Sequence, residues 1–533
     1  MNKNFLEIYW TDVYKVGHQS MLPVGSVLMQ SNFTPRGGKY SNSPNEGKIV
    51  SFGQQMTVRK IKRDWDENFF SMPIEEIDQF GQDMTDMLML DEPMNVEHFK
   101  ALHRLGYLPI EFRSIEEGEL LPYRVPFYTI VNTKPLNGTI VDWLVNYLET
   151  ILSAESWQAP TSATLSYSFR QLGLKWAMKT DPNNLWFVDY QFHDFSMRGM
   201  GGKSAIVNSS LGFATSSRGS DSLPVIPAAR KYYDETAVCI NSVIASEHAI
   251  MCALTGFFLR KKDGTWEKIG ELEVETFRYL LKLFPKGILS LVSDTWNIWR
   301  VICEYCVILK DEILARNGKL VIRPDSGDPV DIVTGVNTVP SIYLSSTATI
   351  IHNNTYPESI VDTPAWKGVI EILWDVFGGS VNDKGYKVLD SHIGAIYGDS
   401  INYDRAKRIF ERLESKGFAS TNIVLGVGSY SLQYVTRDTH SFAQKATYVE
   451  IEFNGIVEGI EIFKDPVTDD GTKKSAKGLL MVIKDENGEY QLKDQCTMEE
   501  VNSDKNEMKI IFKDGKFYNQ TTLTRIREKL MAV

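Results

Sequence analysis

Leu320-Val-Ile-Arg-Pro-Asp-Ser-Gly-Asp-Pro329 is the stretch from which the fold of this chain can be read. Three apolar residues, two of them β-branched, run into an arginine, and the Pro, Ser, Gly and Asp that follow impose a turn. A short continuous apolar run of this kind reads as a strand sheltered on both faces. It delivers a guanidinium and a carboxylate two residues apart into one loop. Such a pair can grip a phosphate with the arginine while the carboxylate holds sugar hydroxyls or a magnesium ion; equally, it can be an ion pair closing a tight surface turn.

The same texture recurs on both sides of that stretch. Residues 185–190 lead to His193 and Asp194, 210–215 to Asp221, 237–245 to Glu247 and His248, and 288–292 to Asp294. Beyond Asp325, residues 393–397 lead to Asp399, and 423–425 to Gly426 and Gly428. With 320–322 this makes seven units, each a β-prone run, a polar turn and a helix-like segment. Strands joined by helical crossovers are parallel. The repetition therefore predicts an irregular α/β barrel-like domain, on whose C-terminal face His193, Asp221, His248, Asp294, Arg323, Asp325 and Asp399 converge. A doubly wound sheet is the alternative and would spread them along a crevice.

Three segments are predicted around this pattern: an N-terminal α+β region over 1–155, the barrel-like domain over 156–440, and a β-rich segment over 441–533 that packs with the N-terminal region. About 70 residues separate Asp325 from Asp399, more than one crossover needs, so 332–385 reads as an insertion, with a Ser/Thr/Asn-rich stretch at 341–355.

Composition limits the function. The chain has 533 residues, 43% of them hydrophobic, with a formal net charge of -11. That charge, with no long Lys/Arg block, argues against nucleic acid as a partner. No segment approaches the roughly 18 uncharged apolar residues of a membrane span, and the N-terminus lacks the apolar run of a secretory signal. A cytoplasmic location without membrane attachment is the expectation. Five cysteines suit a reducing compartment, and the Cys303/Cys306 pair, in an apolar helix-compatible stretch at 299–309, reads as core packing rather than a metal or redox site. A Walker-type loop, a G-x-S-x-G elbow and paired CxxC elements are all missing from the sequence.

What remains points to small anions. In Asn422-Ile-Val-Leu-Gly-Val-Gly-Ser-Tyr-Ser431 a buried strand enters a small-residue loop whose amides at Gly428 and Ser429 could cradle a phosphate, a weak signal by itself. Arg198 and Arg218 upstream, and Arg437, Lys445 and Lys464 downstream, supply cations in an acidic chain. His248 stands beside Glu247 at a strand end, where acid/base work or phosphoryl acceptance competes with a purely structural role.

Nine motifs in order carry a resemblance: Thr11-Asp-Val-Tyr-Lys15 with His18, His193-Asp-Phe-Ser-Met-Arg-Gly199, Gly219-Ser-Asp221, Glu247-His248, Val292-Ser-Asp294, Ile322-Arg-Pro-Asp-Ser-Gly-Asp-Pro329, Gly398-Asp399, Leu432-Gln433 with Thr436-Arg-Asp438, and Phe463-Lys-Asp-Pro466. Together they resemble the nicotinamide phosphoribosyltransferase family, type II phosphoribosyltransferases with a barrel-like α/β domain. The resemblance implies transfer of phosphoribose from phosphoribosyl pyrophosphate to nicotinamide, in a homodimer whose subunits share active sites. It implies that Phe195 and a partner's Tyr14 sandwich the nicotinamide ring while Asp221 accepts from the carboxamide. Arg198, Arg323 and His248 would surround pyrophosphate, and Asp325 and Asp294 would hold ribose or Mg2+. Gly398 and Asp399 would bind ribose hydroxyls, and Gly428, Ser429, Arg437 and Lys445 the 5′-phosphate region. It further implies coupling to ATP through a phosphorylated His248, polarised by Asp294.

Two departures stand out. The phosphate loop reads Gly-Val-Gly-Ser-Tyr-Ser instead of consecutive glycines, and the insertion after Asp331 is long. A nicotinate phosphoribosyltransferase is the nearest alternative, which Asp221 opposes because it would repel a substrate carboxylate. A non-catalytic binding or signalling protein on the same fold is the more distant one.

Overall fold

Leu320–Arg323 is a strand, as its apolar run requires, and it belongs to a sheet of six parallel strands in the computed structural model, which describes residues 6–261, 269–336, 363–464 and 476–532. Their spatial order is Phe192–Asp194, Ile423–Val427, Ile393–Tyr397, Leu320–Arg323, Leu289–Val292 and Ile244–Ala245. Leu320 pairs in register with Ile393 on one side and Leu289 on the other. Every residue of Leu289–Val292 and Ile393–Tyr397 is buried, which is why these strands read as unbroken apolar runs. Single parallel bridges, Asp194↔Ser220 and Gly219↔Asn241, connect the two outer strands and close the circuit. The fold is mixed α/β, with a barrel-like parallel sheet.

Helices cross between the strands. Tyr403–Ser415 shows how: Asn402 caps its start by accepting the Arg405 amide at 2.9 Å, and Ala406, Ile409, Phe410 and Leu413 form one buried stripe.

Three of the seven predicted runs are corrected. Residues 185–190 lie in helical turns, Pro182–Phe187 and Val188–Gln191, and the strand starts only at Phe192. Residues 210–215 lie largely in the helix Lys203–Phe213, which is buried from Asn208 through Phe213. The second half of this helix is buried all round and has no polar face to give it away, so its run of small and apolar residues mimics a strand. Of 237–245 only Ile244–Ala245 is strand, with Asn241 adding one bridge.

By its own contacts the chain divides into two compact units: Met1–Leu165 with Pro227–Ala237 and Val435–Val533, and Ser166–Ile226 with Val238–Tyr434. The second holds the barrel. The first is built on a seven-stranded antiparallel sheet that interleaves both ends of the chain. Ser26–Pro35 pairs with Phe442–Phe453, and Ile110–Ser114 with Lys509–Lys513. Its core is aromatic: Phe33 stacks on Phe442 at 4.9 Å and on Tyr128 at 5.2 Å.

Residues 227–237, which the sequence reading left within the barrel segment, belong with the first unit because Tyr233 stacks on Phe52 and donates to the buried Glu117 carboxyl at 2.9 Å. Burial pushes that carboxyl up to about 7, against the hydrogen bonds that favour its charge.

Of the expected insertion at 332–385, residues 337–362, including the stretch at 341–355, lie outside the described residues. The chain on either side of them meets closely: a Cβ on Gly335 would lie 2.4 Å from the Lys367 backbone. The rest of that span forms the helices Pro364–Lys367 and Val369–Phe377 and a strand, Gly379–Val381, that pairs with Lys387–Leu389.

Candidate active site

The loops that follow the parallel strands lie at one end of the barrel, and the charged residues stand there. Phe195 comes immediately after Phe192–Asp194, and its amide donates to Val427 O of the next strand at 3.0 Å. The ring fits because residue 426 is glycine: a Cβ there would lie 2.5 Å from it. The Arg323 guanidinium stands 5.3 Å from the centre of the same ring. Its Nε is buried without a hydrogen-bond partner. Among the described residues Arg323 forms no ion pair with an acid of this turn, and its guanidinium faces Phe195.

The rest of that turn is shaped by the backbone and two carboxylates. Asp328 accepts from the Val330 amide at 2.9 Å and caps the helix Pro329–Thr334, with proline at its first position. Asp294 Oδ2 accepts from the Asp325 amide at 2.9 Å and from Ser326 Oγ at 2.6 Å. Its other oxygen, Oδ1, lies 3.3 Å from Nε2 of His248, the first residue of the helix His248–Lys261. Burial pushes the Asp325 carboxyl up; Arg323 opposes this, and the negative charges of Asp294 and Asp399 add to it. Gly398 completes the corner, since a Cβ there would fall 2.5 Å from Asp325 Oδ1 and 3.1 Å from Arg323 Nε.

Across the barrel mouth, Arg198 is exposed on the turn Met197–Gly199. That turn sits on the Gly428–Ser429 loop: a Cβ on Gly199 would lie 2.1 Å from Ser429 Oγ, and the Gly201 amide donates to Gln433 at 3.0 Å.

Asp221 follows the bridged pair Gly219–Ser220. His193 Nε2 lies 3.0 Å from its Oδ1, and Ser242 Oγ donates to the same oxygen. Burial alone would raise the Asp221 carboxyl, but the hydrogen bond and charge of His193, with Ser242 and Arg323, hold it below the usual carboxylate range.

A cavity of about 650 Å³ opens beside Phe195, Asp221 and Arg323 and runs down the barrel interior to Ile288, Lys319 and Ser391. Gly219, Ala245, Ser290 and Gly394 line it, and their small side chains leave a bore where larger residues would have packed the barrel solid. Its walls are mainly apolar, which suits an aromatic ring.

Tyr14, Arg437 and Lys445 belong to the other unit. Tyr14 is exposed on the turn Val13–Gly17, next to the buried Lys15, whose ammonium donates to Asn146 at 3.0 Å and Glu149 at 3.1 Å. Lys445 reaches the same Glu149 at 3.4 Å, and Arg437 lies 3.5 Å from Asp438. Cys306 is buried and Cys303 half-buried, and all five cysteines are free. No helix of the described residues is long and apolar enough to cross a membrane.

Sequence reasoning missed several groups at this site. Ser242 belongs to no motif, and Ser326, though inside the Ile322–Pro329 motif, was given no role. Gly426 did carry a signal, because a glycine inside a strand pattern marks close approach by a neighbour. His193 was placed on the rim without a role.

The model of the nicotinate phosphoribosyltransferase (NAPRTase) family matches residues 190–515. The chain is 40% identical over 529 residues to the nicotinamide phosphoribosyltransferase of Acinetobacter baylyi, covering 97% of this chain and 96% of that one. To the Mycoplasma pneumoniae protein of the same name it is 32% identical over 491 residues, covering 90% and 96%. Among solved structures, nicotinate-nucleotide pyrophosphorylase from Pyrococcus furiosus and human nicotinic acid phosphoribosyltransferase each superpose with a TM-score of 0.51. They cover 98% of this chain and 94% and 93% of their own, at 12% and 13% identity, a likeness of fold alone. The order of the motifs, the barrel and these relatives lead to one conclusion: the chain belongs to the nicotinate phosphoribosyltransferase family and, within it, to the nicotinamide phosphoribosyltransferases.

Proposed function

We propose that this chain joins nicotinamide to phosphoribosyl pyrophosphate in NAD salvage, releasing nicotinamide mononucleotide and pyrophosphate. The observation that carries this reading is the Asp221 carboxyl, held through one oxygen by His193 and Ser242, beside Phe195 at the mouth of an apolar bore. A carboxylate accepts from a carboxamide NH2 and repels a carboxylate. The nicotinate alternative would need a cation or a neutral donor where Asp221 stands.

The chemistry asks little of an acid or base. Pyrophosphate leaves C1′ as positive charge develops on the ribose, and the ring nitrogen of neutral nicotinamide attacks with its own lone pair. Positioning and electrostatics therefore do most of the work. Phe195 stacks on the nicotinamide ring, Arg323 and Arg198 take pyrophosphate oxygens, Asp399 and the Gly398 backbone hold ribose hydroxyls, and Gly428 and Ser429 receive the 5′-phosphate. Tyr14 of the partner subunit covers the second ring face in a homodimer, and the enzyme works in the cytoplasm.

Among the described residues no three His, Cys, Asp or Glu side chains converge as a metal cage. A Mg2+ that arrives on the diphosphate needs only one or two carboxylates, and Asp325, crowded by Asp294 and Asp399, fits that demand. The ion would supply charge neutralisation of the leaving pyrophosphate. Coupling to ATP assigns His248 as acceptor of the γ-phosphoryl: an N–P bond forms as the bond to ADP breaks, and Asp294 orients the imidazole.

The test is product formation from phosphoribosyl pyrophosphate and Mg2+ with nicotinamide or nicotinate, each with and without ATP. Mononucleotide from nicotinamide, stimulated by ATP, is the expected result. Product mainly from nicotinate would overturn the role of Asp221, and no product from either would revive the non-catalytic reading.

A further inference from the structure

We infer that His193 is a specificity-positioning residue: by donating to one oxygen of Asp221 it locks the carboxylate so that the other oxygen alone faces the ring substituent of the substrate. The inference rests on the proposed role of Asp221 and deepens it.

The terminal torsion of an aspartate is broad and nearly two-fold, so an isolated Asp221 would present either oxygen over a range of angles. Here both protein donors fall on the same atom: His193 Nε2 stands 3.0 Å from Oδ1, and Ser242 Oγ donates to Oδ1 as well. Oδ2 has no protein donor among the described residues. The split is useful chemically. A carboxamide offers one NH2 to one acceptor, and an acceptor fixed in direction discriminates better than one that rotates to meet a water or a protonated ligand.

The imidazole is itself held. Its ring centre is 4.7 Å from that of Phe195, and it packs so closely on residue 219 that a Cβ there would lie 2.8 Å from its Nδ1. His193 thus touches the ring-stacking residue on one side and the amide-recognising residue on the other, and it lines the bore. No motif requires glycine at 219 for a turn; the close approach of this imidazole does.

The experiment compares His193→Leu, His193→Gln, Gly219→Ala and Asp221→Asn in the full-length enzyme, with kcat and KM for nicotinamide and for nicotinate and a thermal unfolding curve for each. His193→Leu is expected to raise KM for nicotinamide about tenfold, to change kcat about twofold at most, and to cut the preference for nicotinamide over nicotinate about tenfold. His193→Gln, whose amide nitrogen reaches about as far as Nε2, recovers most of both. Gly219→Ala, which displaces the imidazole without removing it, moves both in the direction of His193→Leu and carries the test if the leucine variant does not fold. A glutamine variant no better than leucine, or a leucine variant with wild-type preference, overturns the inference. If Asp221→Asn also leaves the preference unchanged, the role of Asp221 fails first; if Asp221→Asn shifts it and His193→Leu does not, only the role of His193 falls.

Discussion

Two histidine–aspartate pairs stand on the rim of one barrel, and they are built inside out with respect to each other. In His193–Asp221 the imidazole is the hidden partner, its side chain 10% exposed against 44% for the acid. In His248–Asp294 the acid is hidden, at 4%, and the imidazole is 48% exposed. The contact is about the same in both, 3.0 and 3.3 Å. What differs is which member is open to solvent, so in the proposed reading the same two residue types would yield an acceptor in one place and a nucleophile in the other. In each pair the buried member is placed to orient the exposed one.

The largest effect should come from the exposed histidine. His248→Ala is expected to abolish the whole ATP-dependent increment of the rate while some basal transfer remains, measured as mononucleotide formed with and without ATP. ATP stimulation that survives in this variant would move the phosphoacceptor elsewhere and dissolve the contrast between the pairs.

The exposed acid comes next. Asp221→Asn replaces a charged acceptor with an amide that can also donate, and it should narrow the kcat/KM preference for nicotinamide over nicotinate by roughly 100-fold. An unchanged preference would mean that the 44% exposed carboxylate is only a surface charge.

The pairs were not equally legible in the sequence. Asp294 follows a strand whose four residues are all buried, and His248 opens a helix shortly after Ile244–Ala245, the only part of its run that is strand. His193 and Asp221 follow the two runs that proved helical, 185–190 and 210–215. They nevertheless stand near each other because His193 lies in the short strand Phe192–Asp194 and Asp221 follows the bridged residues Gly219 and Ser220, not because of the runs themselves. What one-dimensional pattern could not show was that His193 and Asp221, 28 residues apart, share a hydrogen bond, or that Ser242 joins them. The closing bridges at Ser220 and Asn241 create that neighbourhood, and single bridges leave no periodic trace. The antiparallel unit, expected as an α+β region over 1–155 packing with a β-rich segment over 441–533, also takes in residues 227–237, which a buried carboxyl and an aromatic stack hold there.

A subtler change sharpens the division of labour. Asp294→Asn keeps the shape of the side chain and loses its charge, so His248 would keep a neighbour but not its electrostatic support. ATP stimulation should fall about tenfold, with the nicotinamide preference unchanged, because Asp294 touches neither Asp221 nor Phe195 in any hydrogen bond or ring contact among the described residues. A shift in preference would show that the two pairs are coupled.

The smallest expected effect is an absence of change with pH. Asp221 has its carboxyl held below the ordinary carboxylate range, so its charge is present above that range and is lost only as the pH falls through the depressed value. Between pH 8 and about pH 5 the carboxylate stays ionised, and the ratio of kcat/KM for nicotinamide to that for nicotinate should be flat; taking the ratio cancels ionisations of the shared phosphoribosyl substrate. The alternative has a different signature. A preference that declined inside this window would show that a group other than the Asp221 carboxylate governs selection. A flat profile keeps Asp221 as the charge that selects, whereas a step inside the window would mean that the exposed acid is not what reads the substrate.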